Sequence, residues 1–212
     1  MNKQKLSKDP LNVIITGVGG QGNVLLAQLL GRALTKKGYM ITVGDIFGAA
    51  QRGGSVSSHL RISEKDVYGP LTPGGTADLI VSLEPVEALR AVGQFGNPEV
   101  VVISNTRPFY PIDVVIGDAS YPTLEEIKKA ASKLSKESLF VDASAIALEL
   151  KAPVVTNIVM GGVAIGTRVL PLSEDDFNEE LKEQFAGRKP GIYELNKEAF
   201  RRGLAACNSL RS

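Results

Sequence analysis

The chain carries little of the chemistry that metal and redox proteins usually hold on their own residues. It has one cysteine, Cys207, and one histidine, His59, in 212 residues. A lone thiol closes no internal disulfide, so a reducing, cytoplasmic setting is expected. Iron–sulfur clusters take about four thiolates, and structural zinc takes about four Cys or His ligands. No cluster and no metal are therefore expected on this chain alone. His59 has no Ser and Asp spacing around it that would build a triad, and a hydrogen-bonded structural histidine is its simpler reading. Charge of one sign is lacking too: 24 basic and 23 acidic residues are interspersed along the chain. No field that would recruit nucleic acid or an anionic membrane follows from that balance. Long apolar runs are also missing. The stretches near 11–18 and 153–166 are too short or too glycine-rich to cross a bilayer. No apolar run follows Lys3, Lys5 and Lys8, so no secretion signal is expected. Residues 1–10 are expected to form a flexible arm.

What is present alternates between short β-branched runs and amphipathic helices. Residues 12–16 predict a buried strand stopped by glycines. A helix follows over 23–37, with Gln28, Arg32, Thr35 and Lys36 on one face and leucines covering the rest. Gly38 is placed to end it in the left-handed conformation. A strand over 40–44 completes a β-α-β unit, whose crossover is expected to be right-handed. Further strands are predicted over 55–62, 78–83, 99–104 and 139–142, with a helix over 85–91. Thr123 and Glu126 form a capping box for a helix with Leu124, Ile127, Ala131 and Leu134 as its inward stripe, and Asp142 caps the next one. Residues 154–169 suit strand or helix; the small residues favour a closely packed helix. Two more helices follow, the first opened by Ser173 and the second running over 192–206. The expectation is a three-layer α/β/α Rossmann-like domain with a mixed, mostly parallel sheet. Its core module spans 11–170, and a C-terminal helical extension, 171–212, packs on the same domain.

Two glycine-rich segments carry the functional signal. Gly17, Gly19 and Gly22 fit G-x-G-x-x-G between a strand and a helix, with Gly20, Gln21 and Asn23 completing the turn. Such a loop lets the backbone approach a phosphate at a helix N-terminus. Asp45, at the end of the second strand, stands where a Rossmann acid would hold a ribose, which keeps an NAD(P)-binding protein open as an alternative. The loop equally suits tight strand–helix packing without a ligand. Gln51-Arg52-Gly53-Gly54-Ser55 does not belong in an ordinary dinucleotide site. Beyond it, Ser55, Ser57, His59 and Arg61 share one face of a strand, which meets a partner or ligand, or is only a polar face. Glu84 and Glu87, at the start of a helix, favour its N-terminus electrostatically.

Gly17–Gly22, Gly48–Ser55, Ser58–Arg61, Ala77–Ile80, Glu84–Arg90 and Asn105-Thr106-Arg107 occur in order. Together they resemble the gamma-type module of the 2-oxoacid:ferredoxin oxidoreductases over about residues 11–205, in particular its two-subunit branch acting on indolepyruvate. A gamma subunit for pyruvate, 2-oxoglutarate or a branched 2-oxoacid is the alternative within the family. The resemblance implies coenzyme A-dependent oxidative decarboxylation of a 2-oxoacid to an acyl-coenzyme A, with electrons passed to ferredoxin. It also implies a large partner subunit bearing thiamine diphosphate, magnesium and [4Fe-4S] clusters, in a heterotetramer or higher heteromer. The chain lacks the Gly-Asp-Gly segment of a thiamine site, as that division of labour requires. Asn23 departs from the pattern, which has an aliphatic residue there.

Overall fold

A computed structural model of the chain describes residues 3–48 and 54–212. Its centre is β1 (Leu11–Val18), in which all eight residues are buried. Because strand side chains alternate between faces, Val13 and Ile15 enter the larger core while Ile14 enters a smaller one on the opposite face. The other strands are β2 (Met40–Phe47), β3 (Ser55–Ser63), β4 (Leu79–Ser82), β5 (Val101–Asn105) and β6 (Glu137–Val141), in the order β2-β3-β1-β4-β5-β6. From β1 to β6 the pairings are parallel. β3 runs antiparallel to both β1 and β2.

That order refines the expected β-α-β unit. β1 and β2 run parallel and are joined by α1 (Asn23–Lys36), but β3 lies between them, so β2 is the edge strand. The α1 side of the sheet also carries α5 (Ala143–Glu149), α6 (Thr156–Gly166), α7 (Glu174–Phe185) and α8 (Ile192–Arg211). The opposite side carries α2 (Pro85–Phe95) and α4 (Leu124–Leu134). A one-turn helix, α3 (Ile112–Val115), sits in the connection from β5 to α4.

The ambiguous segment 154–169 is helical because its glycines meet another helix. A Cβ at Gly162 would lie 2.2 Å from the Phe200 carbonyl oxygen, and one at Gly203 would lie 1.9 Å from that of Val159. α6 and α8 therefore pack backbone against backbone. α7 is held to α1 by ions: Arg32 and Lys36 both reach the buried Glu180 carboxylate, at 2.5 and 2.7 Å. Capping boxes are present at Thr123 and Ser173, and Gly38 has a φ of 85°. In α4, Ile127 and Ala131 are buried, but Leu134 is 46% exposed and leaves the expected stripe.

The expected flexible arm is docked instead from residue 3 onward. Lys3 donates to the carbonyls of Gly38 and Glu64, and the Leu6 N–H donates to the Glu64 carboxylate at 2.7 Å. The Leu6 side chain enters the larger core. Burial of a leucine contributes about 1.5–3 kcal/mol, which offsets the backbone ordering of one or two residues at about 1–2 kcal/mol each, and the hydrogen bonds add to it.

Candidate functional site

The loop after β1 is shaped by its own side chains. Gln21 folds back so that its Oε1 accepts the Val18 N–H at 2.8 Å, while the Gln21 N–H donates to the Val18 carbonyl. Gly20 and Gly22 take φ values of 99° and 90°, a region L side chains rarely occupy. A Cβ at Gly17 would meet Gln21 Oε1 at 2.6 Å and Asn23 Oδ1 at 2.8 Å. Gly22 caps α1 without a side-chain hydrogen bond, so the first N–H groups of that helix have no side-chain acceptor at the cap. Asn23 is buried, and its Oδ1 has no partner among the described residues.

The two sequence segments meet in space: the Gly19 N–H donates to the Gly54 carbonyl at 2.9 Å. Gln51, Arg52 and Gly53 lie outside the described residues. Along the face carrying Ser55, Ser57 and His59, burial grows with position: Ser55 is exposed, Ser57 is half-buried and His59 is buried. His59 is 1% exposed, packs edge-on against Phe95, and accepts the Thr72 N–H on Nδ1 at 3.1 Å. Burial lowers its pKa, against the pull of the nearby Asp45 carboxylate, so a neutral, structural imidazole is what the site holds. Arg61 donates to Asn12 Oδ1 and to the carbonyls of Gly69 and Leu71. Ser55 donates to Glu87 at 2.6 Å. The segment 68–72 folds over β2 and β3 and takes up His59 and one end of Arg61. Pro70 sits so close to Gly44 that a Cβ there would meet it at 2.8 Å.

An open cleft of about 460 Å³ lies beside the glycine loop, at the carboxyl ends of β1, β4 and β5. α1 leaves β1 toward one face of the sheet and α2 leaves β4 toward the other, so the crevice falls where open α/β sheets bind ligands. Gly20, Gln21 and Gly22 form one wall. Leu83, Asn105, Arg107 and Phe109 form the second, and Ser144, Val154 and Asn157 the third. Asn157 donates to the Gly22 carbonyl at 3.2 Å, and Asn105 links the Leu83 carbonyl to Ser144 Oγ. Arg107 is exposed and makes no ion pair among the described residues. Arg107 lines the cleft together with the N-terminus of α1, an arrangement able to hold an anion by charge and by N–H donation.

Arg107, Ser144 and Asn157 were not picked out as site residues from sequence. The only signal was the Asn105-Thr106-Arg107 motif, and its spatial place depends on a fold that joins distant segments. Asp45 accepts from Ser58 Oγ on the edge strand, with β3 separating it from β1. It does not stand beside the glycine loop as a Rossmann ribose acid does. Cys207 is fully buried beside Gly166, where burial raises its pKa. No group of three or more metal-ligating side chains is clustered among the described residues. No helix among them is long and apolar enough to cross a membrane.

Comparison with known proteins places the fold and the family. An indolepyruvate oxidoreductase subunit of Thermococcus kodakarensis is 40% identical over 94% of this chain and 96% of its own length. The common gamma subunit of the pyruvate and ketoisovalerate oxidoreductases of the same organism is 28% identical over 81% of this chain and 84% of its own. A solved 2-oxoglutarate:ferredoxin oxidoreductase of Magnetococcus marinus, with 2-oxoglutarate, coenzyme A and succinyl-coenzyme A bound, shares the fold. Its TM-score is 0.72 at 20% identity, over 96% of this chain and 32% of that longer one. The pyruvate ferredoxin/flavodoxin oxidoreductase family matches residues 12–206, and the chain belongs to that family.

Proposed function

We propose that this chain is the small subunit of a cytoplasmic indolepyruvate:ferredoxin oxidoreductase. The enzyme converts an arylpyruvate and coenzyme A into an acyl-coenzyme A and carbon dioxide, and passes electrons to ferredoxin. One observation carries the reading: near full-length likeness to an indolepyruvate oxidoreductase subunit, well above that to the gamma subunits for pyruvate and ketoisovalerate.

The residues of this chain do not fit an iron–sulfur cluster, since its one thiol is enclosed between helices. The reading puts the [4Fe-4S] clusters, together with thiamine diphosphate and magnesium, on a larger partner subunit. The part assigned to this chain is the coenzyme A cleft. The N-terminus of α1 and Arg107 would receive a phosphate there, while Leu83, Phe109 and Val154 offer apolar walls to the rest of the molecule. The NAD(P) alternative is disfavoured by the engagement of Asp45 with Ser58.

The test is purification with the larger subunit, followed by kinetics of the assembled enzyme. Gly20→Asp places a negative charge in the loop and raises the KM for coenzyme A, leaving that for the 2-oxoacid nearly unmoved. A folded, assembled Gly20→Asp enzyme with unchanged KM for coenzyme A reduces the loop to a packing device. Preference for pyruvate or a branched 2-oxoacid over indolepyruvate overturns the substrate assignment. Tightly held iron, or indolepyruvate turnover by the isolated chain, overturns the division of labour.

A further inference from the structure

Between β5 and α4 the chain leaves the sheet as an excursion, residues 106–123. It contributes little to either core: Tyr110, Ile112, Val115 and Ile116 are all more than half exposed. α3 makes no substantial contact with any described helix or strand. Yet Phe109, at its start, walls both the coenzyme cleft and a neighbouring hollow of about 400 Å³. A loosely packed segment thus forms a wall of the binding site, and something other than apolar burial must hold it.

One carboxylate does so at both ends. Glu84, at the N-cap of α2, is 2% exposed. Its Oε2 accepts the Glu87 N–H at 2.9 Å. Its Oε1 accepts the Phe109 N–H at 3.2 Å and the Tyr121 hydroxyl. The excursion is therefore clasped near its start and near its end by one atom of a side chain that the helix N-terminus fixes in place. The Tyr110 ring packs edge-on against that of Tyr121, 5.1 Å between centroids. Burial, and then the Glu84 carboxylate, push the Tyr121 hydroxyl well above its ordinary pKa, so it remains a donor. Hydrogen bonds to an ionised acceptor are about twice as strong as neutral ones, which suits a clasp with no core beneath it.

We infer that Glu84 is a positioning residue: by clasping the 106–123 excursion at both ends it fixes Phe109 as a wall of the cleft, and so sets the affinity for coenzyme A. The inference rests on the reading of the cleft as the coenzyme A site.

The experiment uses the enzyme assembled with its larger subunit. Tyr121→Phe keeps the ring and removes one donor. Glu84→Gln keeps the shape and replaces one acceptor oxygen with an amide. Arg107→Ala probes the cleft without touching the clasp. In both clasp variants the amides of 108–120 exchange with solvent about tenfold faster. The KM for coenzyme A rises about five- to tenfold, the equivalent of about one ordinary hydrogen bond, and the KM for the 2-oxoacid stays put. Tyr121→Phe leaves exchange at the Glu87 amide unchanged, because the cap is untouched. Unchanged exchange over 108–120 overturns the clasp. Faster exchange with a steady coenzyme A KM, while Arg107→Ala raises that KM, overturns the positioning role and leaves the cleft assignment standing. If Arg107→Ala moves nothing either, the cleft assignment falls and the positioning role falls with it.

Discussion

Two sets of glycines in this chain do opposite things. In α6 and α8, Gly162 and Gly203 let two helices approach until no atom fits between the backbones, and Gly166 makes room for the Cys207 side chain. At the end of β1, Gly20 has no heavy atom within 4 Å of where a Cβ would stand, and a φ of 99°. The helix glycines have ordinary helical φ and are needed for lack of space. The loop glycine has space in plenty and is needed for its backbone conformation. Gly22 is intermediate, with a φ of 90° and the Asn157 side chain 2.4 Å from its missing Cβ. Glycine enrichment alone therefore says nothing about ligand binding; whether the vacated volume is filled by protein or open to solvent does.

Substitutions separate the two cases. Gly203→Val meets a backbone oxygen that cannot step aside, and it should cost about 3 kcal/mol or more, read as a fall in the calorimetric Tm. A loss below about 0.5 kcal/mol, the range of ordinary surface changes, would mean the helices are not in backbone contact. Gly22→Ala should cost about 2 kcal/mol, combining the left-handed penalty with crowding. Adding Asn157→Ala should return only the crowding part, and full recovery in the double mutant would remove backbone conformation as a cause. Gly20→Ala should cost about 1 kcal/mol, from conformation alone, and a larger loss in urea titration would reveal a neighbour where the geometry has none.

The smallest effect belongs to His59. Its imidazole is neutral when folded and its pKa is lowered by burial, so the unfolded chain binds the extra proton first. Stability is then fully present above the ordinary histidine pKa, about 6.5, and is lost as pH falls below it toward the folded value. Midpoints in urea should drop over that window in the native chain, and less in His59→Gln. Equal slopes would place the loss on carboxylates instead.

Much of this was legible in the sequence. The loop after β1 follows from glycine spacing, and all six strands follow from β-branched runs between turn residues. Gly38, Thr123, Asp142 and Ser173 announce helix ends by their own chemistry. Strand partners were not legible, because alternation places a side chain on a face and does not say which strand lies beside it. The insertion of β3 between β1 and β2 is such a case. It leaves His59 buried and Arg61 half-buried against a segment that the sequence marks only as turn-rich. Arg107, Ser144 and Asn157 come from three separated segments, and only folding brings them to one cleft. The arm at residues 3–10 looked free because its anchors, Glu64 and Tyr39, lie far along the chain.

The outer edge of β2 has a bearing on how the chain behaves before it meets any partner. It pairs with no strand among the described residues beyond β3. Met40, Val43, Ile46 and Phe47 are exposed along it, and the carboxylate of Asp45, its only charged residue, is engaged by Ser58. Natural edges are commonly guarded by lysine, proline or a bulge, and this strand has neither lysine nor proline. Synthesis in excess of its partner subunits would therefore leave a sticky template, and balanced production becomes a matter of solubility as much as of activity.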